Sequence, residues 1–122
     1  MKGPSARSLE ECRKHGWKAQ VVEKFIPQTR LRKDLFGCID IVALDGKPGV
    51  LGIQATSTSN MSSRLQKICA ECTDEMRTWL EAGNRLSVWG WAKRGPAGKR
   101  KFWVLKRHDI DLPELEWRSV LQ

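Results

Sequence analysis

Two apolar runs near the middle of the chain, GCIDIVAL (37–44) and VLGIQAT (50–56), each carry polar residues of a kind that hold metal ions. Asp40 interrupts the first; Gln54 and Thr56 interrupt the second. Between them stands Asp45-Gly46-Lys47-Pro48-Gly49, a string of turn formers, so the runs read as the two strands of a hairpin. If the turn sets Leu44 against Val50, paired residues have numbers that sum to 94 and Asp40 faces Gln54. Cross-strand partners place their Cβ atoms ~5 Å apart, and Thr56 lies two residues farther along the same face. Such oxygen donors suit a hard divalent cation, Mg²⁺ or Mn²⁺. That ion would polarise a phosphate and lower the pKa of a bound water. The plainer alternative is a strand-end acid beside a buried amide satisfied by backbone.

Further acids stand within reach. Glu23 breaks the strand-like stretch WKAQVVEKFI (17–26), where the period of two groups it with Ala19, Val21 and Phe25. It either belongs to the site or is an awkwardly placed surface acid. Asp34 precedes the Asp40 strand, with capping as its simpler role. Basic residues cluster nearby: Arg30, Arg32 and Lys33 before the acid, and Arg64 and Lys67 on the next helix. A second group, Arg94, Lys99, Arg100 and Lys101, surrounds a later turn. With 22 Lys and Arg against 14 Asp and Glu, the net charge is +8, which suits a polyanion. Lysines and arginines so placed would neutralise phosphates without reading bases.

The elements that must position these residues follow from periodicity and punctuation. A helix is expected over 5–15, with Ser5 or Ser8 as cap and Gly16 just past its end. A strand over 17–26 closes at Pro27, and 28–33 is a basic connection. After the hairpin strands, 37–44 and 50–56, a long helix over 61–82 carries the stripe Leu65, Cys69, Cys72, Met76, Trp79 and Leu80. Gly83-Asn84 stops it. Strands over 85–93 and 101–106 flank the turn 95–98, and 113–121 forms a short terminal helix. The helical crossover implies a parallel pairing in a mixed sheet. The expected fold is one α/β domain over 1–122, a mixed central sheet flanked by helices.

Several function classes recede. No apolar run approaches the ~20 residues of a membrane span, and residues 1–5 lack the apolar stretch of a signal peptide. A cytoplasmic protein with reduced thiols is expected of Cys12, Cys38, Cys69 and Cys72. Cys69-x-x-Cys72 lacks the second ligand pair of a zinc site and falls on the helix's apolar stripe, so it reads as core. His15 and His108 have no partners for a nucleophilic triad. Trp89 and Trp91 share a strand face and either stack bases or pack in a core or dimer contact.

The segment Asp40-Ile41-Val42-Ala43-Leu44, a short glycine turn, and Gly49-Val50-Leu51-Gly52-Ile53-Gln54-Ala55-Thr56-Ser57 resembles the core of the PD-(D/E)XK nucleases. The nearest likeness is to archaeal-type Holliday junction resolvases and related small phage nucleases. It extends to the basic TRLRKDLFG segment, the following helix and the strand Ser87-Val88-Trp89-Gly90-Trp91-Ala92-Lys93, so that about 5–107 follow the family's αβββαβ order. The resemblance implies a Mg²⁺- or Mn²⁺-dependent endonuclease acting on branched or junction DNA as a homodimer, without a small-molecule cofactor. Asp40 takes the place of the metal-binding aspartate, and the Ala55 carbonyl that of a further ligand. Ser57 matches a serine that often follows. Gln54 stands where Glu or Asp is usual, and Thr56 at the lysine position. These departures remove one negative charge and one cation. Lys67 or Lys93 could replace the lysine, and the family's first-helix acid would fall to Glu10 or Glu11. A non-catalytic DNA-binding module on the same fold is the rival reading.

Overall fold

From its N-terminus the chain runs through α1 (Pro4–Lys14), β1 (Lys18–Val21), β2 (Lys24–Ile26), β3 (Leu31–Lys33), β4 (Ile41–Leu44) and β5 (Leu51–Ser57). A short 3₁₀ turn (Thr58–Asn60) leads into α2 (Met61–Glu71) and α3 (Thr73–Glu81), then β6 (Arg85–Arg94), β7 (Phe102–Ile110) and α4 (Leu112–Ser119). This computed structural model describes residues 2–121; Met1 and Gln122, the ends of the expected domain, lie outside the described residues.

Five strands form one mixed sheet in the order β1-β4-β5-β6-β7. The central hairpin has the expected register, Ile41↔Ile53, Val42↔Gly52 and Ala43↔Leu51, every pair summing to 94. The crossover through α2 and α3 returns the chain to lie parallel to β5, again as expected, and β7 closes the far edge antiparallel to β6. Alternation then sorts the side chains. On one face Ile41, Ala43, Leu51, Ile53 and Trp89 pack with Cys12 and Leu9 of α1. On the other, Leu86, Val88 and Ile110 pack with Leu65 and Ile68 of α2, Met76 of α3 and Leu115 of α4. Each fully buried aliphatic side chain contributes about 1.5–3 kcal/mol, so the two clusters fix the sheet between its helices. All four cysteines are free and buried, as the core reading expected of Cys69 and Cys72.

Several elements differ from expectation. The strand over 17–26 is two strands: β1 follows β4 only as far as Val22, whose amide bonds the Asp40 carbonyl at 2.8 Å. Beyond Asp40 there is no further β4 to pair with, and the chain turns away. The basic connection over 28–33 is half strand, because β3 pairs antiparallel with β2 around a turn at 27–30. The strand over 37–44 begins only at Ile41, since Leu35 and Ile39 bond across a tight turn with Phe36 and Gly37 at positive φ. The helix over 61–82 breaks at Cys72 (φ −119°), where the Thr73 hydroxyl bonds back to the Cys69 carbonyl at 2.5 Å. The last strand runs on past 106 to Ile110, and the terminal helix starts at Leu112. Gly3, not Ser5 or Ser8, precedes α1; Ser8 is buried and accepts the Trp91 Nε1–H at 2.9 Å. Gly16 does follow the helix in the left-handed region.

One corner of the sheet is tightly clamped. Arg85 makes a bidentate pair with Asp45 (2.6 and 2.7 Å) and donates to the Pro48 carbonyl. The Asn84 side chain accepts the Val50 amide at 3.0 Å. Arg85 holds the Asp45 carboxyl well below the usual carboxylate range, at about 2. At this corner a Cβ on Gly49 would collide with the Gly83 carbonyl, while one on Gly46 would meet open space. Both glycines have positive φ. Gly46→Ala should therefore cost only the roughly 1–2 kcal/mol of left-handed strain, and Gly49→Ala clearly more. Urea unfolding measures both, and equal losses would refute the close approach.

Candidate metal centre at the root of a basic arm

Asp40 sits immediately before β4, 5% exposed. Its Oδ2 accepts the Ala55 amide at 2.8 Å and the Gln54 Nε2–H at 2.7 Å, so the carboxylate takes the place of the next backbone rung between β4 and β5. The expected juxtaposition of Asp40 with Gln54 is thus present. The amide of Gln54, rather than its carbonyl, is turned to the acid, which makes Gln54 a partner of Asp40 in this arrangement. Gln54 and Thr56 are both buried on the same face of β5, and Ser57, half-buried, shares a hydrogen bond with Ser59 at 3.1 Å.

Two further carboxylates reach this point by way of two successive turns. In the β2–β3 ribbon Lys24 pairs with Lys33, so Glu23 and Asp34 stand at its root. In the next turn Leu35 pairs with Ile39, which brings Asp34 back toward Asp40. Carboxylate oxygens of Glu23, Asp34 and Asp40 all lie within 4.8 Å of one another. Asp34 enters the site through this turn, although its place just before the strand made a cap its simpler role. Glu23 comes in because the strand breaks before it, not through the face shared with Ala19 and Val21. Glu10 and Glu11 lie elsewhere, bonded to Lys2 and His15.

Burial, with the Asp34 carboxyl hydrogen-bonded beside it, pushes the Asp40 carboxyl up to about 7, against the downward pull of the Ala55 amide and Gln54. The nearest cation in the geometry is Arg32, whose Nη1 lies 3.9 Å from Glu23 Oε2.

Because Asp40 precedes β4, the cluster lies at the end of the sheet where β5 and β6 finish. The same end carries α2 with Arg64 and Lys67 and the β6–β7 turn with Lys99, Arg100 and Lys101. Arg30, Arg32, Lys33 and Lys67 are exposed, and Arg64 is half-buried. Lys101 is less free, its Nζ donating to the carbonyls of Gly95 (2.7 Å) and Pro96 (3.1 Å). Lys93 lies over the Trp103 ring, not in the lysine position of β5. Trp89 and Trp91 are buried in the sheet and offer no face to a base. No helix among the described residues is long and apolar enough to cross a membrane. No family model, curated protein or solved structure matches the chain.

The raised Asp40 has a measurable consequence. The folded chain keeps this proton to a higher pH than the unfolded chain does, so its contribution to stability is complete at low pH. It is lost as pH rises from about 4 through 7. A tenfold change in proton affinity is worth about 1.4 kcal/mol, so the expected fall between pH 5 and pH 8 is on the order of 2 kcal/mol. Asp40→Asn should remove most of that slope in urea unfolding; an unchanged slope would place the strain elsewhere.

Proposed function

We propose that this chain is a divalent-metal-dependent endonuclease that hydrolyses phosphodiester bonds in DNA. The observation that carries the reading is the meeting of Glu23, Asp34 and Asp40 within 4.8 Å at the foot of a basic arm. The donor set fits a Mg²⁺- or Mn²⁺-type ion: hard oxygens and more than one carboxylate. Such an ion, when bound, supplies Lewis-acid stabilisation of a phosphoryl oxygen and acidifies water. Asp40, Asp34 and Glu23 would hold it, with the Ala55 carbonyl as a further oxygen donor and Gln54 fixing the Asp40 carboxylate beside them. Thr56 and Ser57 contribute hydroxyls that can orient water or the phosphate. Arg30, Arg32, Lys33, Arg64, Lys67, Lys99, Arg100 and Lys101 would bind the DNA backbone, with the steep salt dependence of phosphate contacts.

The preference for branched DNA and the homodimer come from the resemblance to the junction resolvases. Work in a reducing cytoplasm agrees with four free, buried thiols. A second reading, a DNA-binding module that does not cut, is favoured by the uncharged Gln54 and Thr56 in the positions where the resemblance expects an acid and a lysine.

Labelled four-way junction, duplex and single-stranded DNA, incubated with Mg²⁺ or Mn²⁺, separate the two. Cutting should require metal, and Asp40→Asn and Asp34→Asn should each reduce it by at least the roughly 10–100-fold that even an outer-shell partner is worth. Binding without cutting under either metal would leave the module. Independently of turnover, Mg²⁺ should raise the unfolding midpoint at pH 8 more than at pH 5, where protons compete for Asp40. The effect should vanish in Asp40→Asn.

A further inference from the structure

The two strands of the 24–33 arm bond only to each other, outside the five-stranded sheet. Apart from the half-buried Ile26, every residue of the arm is exposed. It carries Lys24, Arg30, Arg32 and Lys33 and no acid. A lone two-stranded ribbon is marginal in water, and Lys24 directly opposite Lys33 weakens it further. A polyanion laid along an arm of this composition would relieve that repulsion.

Its two faces differ. Alternation and register put Phe25 and Arg32 opposite each other on the face that also carries Glu23 and Asp34. The Arg32 contacts agree, reaching Glu23 at 3.9 Å and placing its guanidinium carbon 5.9 Å from the centre of the Phe25 ring. Two residues along each strand, about 7 Å, separate the ring from the carboxylates. Phe25 is 50% exposed, and its side chain has no donor or acceptor with which to read a base edge.

We propose that Phe25, backed by Arg32, is a stacking platform for an unpaired base of the bound nucleic acid, so that the arm selects strands with free bases over continuous duplex. The proposal deepens the nuclease reading and rests on its nucleic-acid partner. A continuous duplex offers base edges in its grooves, whereas an unstacked base offers a ring face. Stacking on an aromatic side chain is worth about 1–3 kcal/mol per base and tolerates any sequence, and the arginine adds a cation–π contact. The other exposed aromatics are differently placed. Phe36 leans on Trp79, Phe102 and Trp103 on the edge strand β7 lie under Arg100 and Arg7, and Trp117 on α4 lies under Arg118.

The test is fluorescence anisotropy in EDTA with a labelled oligothymidylate, a blunt duplex of equal length, an abasic strand and heparin, so that cutting does not enter. Phe25→Leu, which keeps an apolar side chain on the ribbon, should weaken oligothymidylate binding roughly tenfold. Duplex, abasic strand and heparin should change less than about twofold. Phe25→Trp should restore or tighten the strand, and Trp103→Leu should change nothing. Arg32→Ala should weaken all ligands and reduce the salt slope by about one. Equal losses on strand and duplex, a loss on the abasic strand, or no loss anywhere would overturn the platform, as would a failure to bind the strand at all. A protein that shows the expected binding pattern yet never cuts with metal would sink the hydrolysis and leave the platform standing. One that cuts but binds strand and duplex alike would do the reverse.

Discussion

The structure turns on a carboxylate that replaces a backbone rung. Asp40 immediately precedes β4, and its side chain takes the Ala55 amide that would otherwise have needed another strand residue opposite it. Everything at this end of the sheet follows from that substitution. With Asp40 closing the ladder, β1 has no partner beyond Val22, so the chain leaves the sheet and folds back on itself as the arm. The arm's root then returns through the 35–39 turn to the same acid. Burying a carboxylate is costly unless hydrogen bonds compensate. Two donors do so here, while Asp34 works against them and leaves the group poised between its charged and neutral forms.

The two ends of the sheet divide the labour. At the Asp45 corner the charges are opposite and fully used: the bidentate Arg85 pair, the Asn84 contact and the Trp79 Nε1–H on the Arg85 carbonyl (2.7 Å) tie hairpin, helix and crossover strand together. At the Asp40 end three acids crowd together, with Arg32 3.9 Å from Glu23 and a row of bases on the exposed arm. A fold can carry such a concentration of like charge only where other parts supply the stability. The two cores and the clamped corner are those parts.

The legible portion of the molecule is that governed by a single repeating rule. The turn 45–49 set the register of the central hairpin, and the register brought Asp40 to Gln54; apolar runs between turn formers gave β5, β6 and the crossover. Elements whose partner lies outside the local pattern were not legible. Three-residue strands such as β2 and β3 are too short to display a period, and their pairing depends on where β4 stops. The apolar stripe runs unbroken from Leu65 through Cys72 to Leu80, so periodicity passes straight through the break between α2 and α3. The route of Asp34, a candidate acid from the sequence, was illegible for the same reason: its approach to Asp40 is made by a turn with two consecutive positive-φ residues, one of them the non-glycine Phe36.

The departures of this sequence from the nuclease pattern look different once the arm is in place. On that reading, β5 lacks an acid at Gln54 and a cation at Thr56, which would leave Asp40 a weak site alone. The arm returns both kinds of charge to the same point. Glu23 and Asp34 add carboxylates within 4.8 Å, and Arg32 stands 3.9 Å from Glu23. A charge moved from a rigid central strand to a marginal ribbon is positioned less firmly when the ribbon is free. A polyanion bound as proposed would relieve the repulsion between Lys24 and Lys33 and improve that positioning. On the proposed reading, nucleic acid laid along the arm would bring the site's acids to full order, and metal affinity would then be coupled to nucleic-acid binding in a way that two acids on neighbouring core strands would not allow.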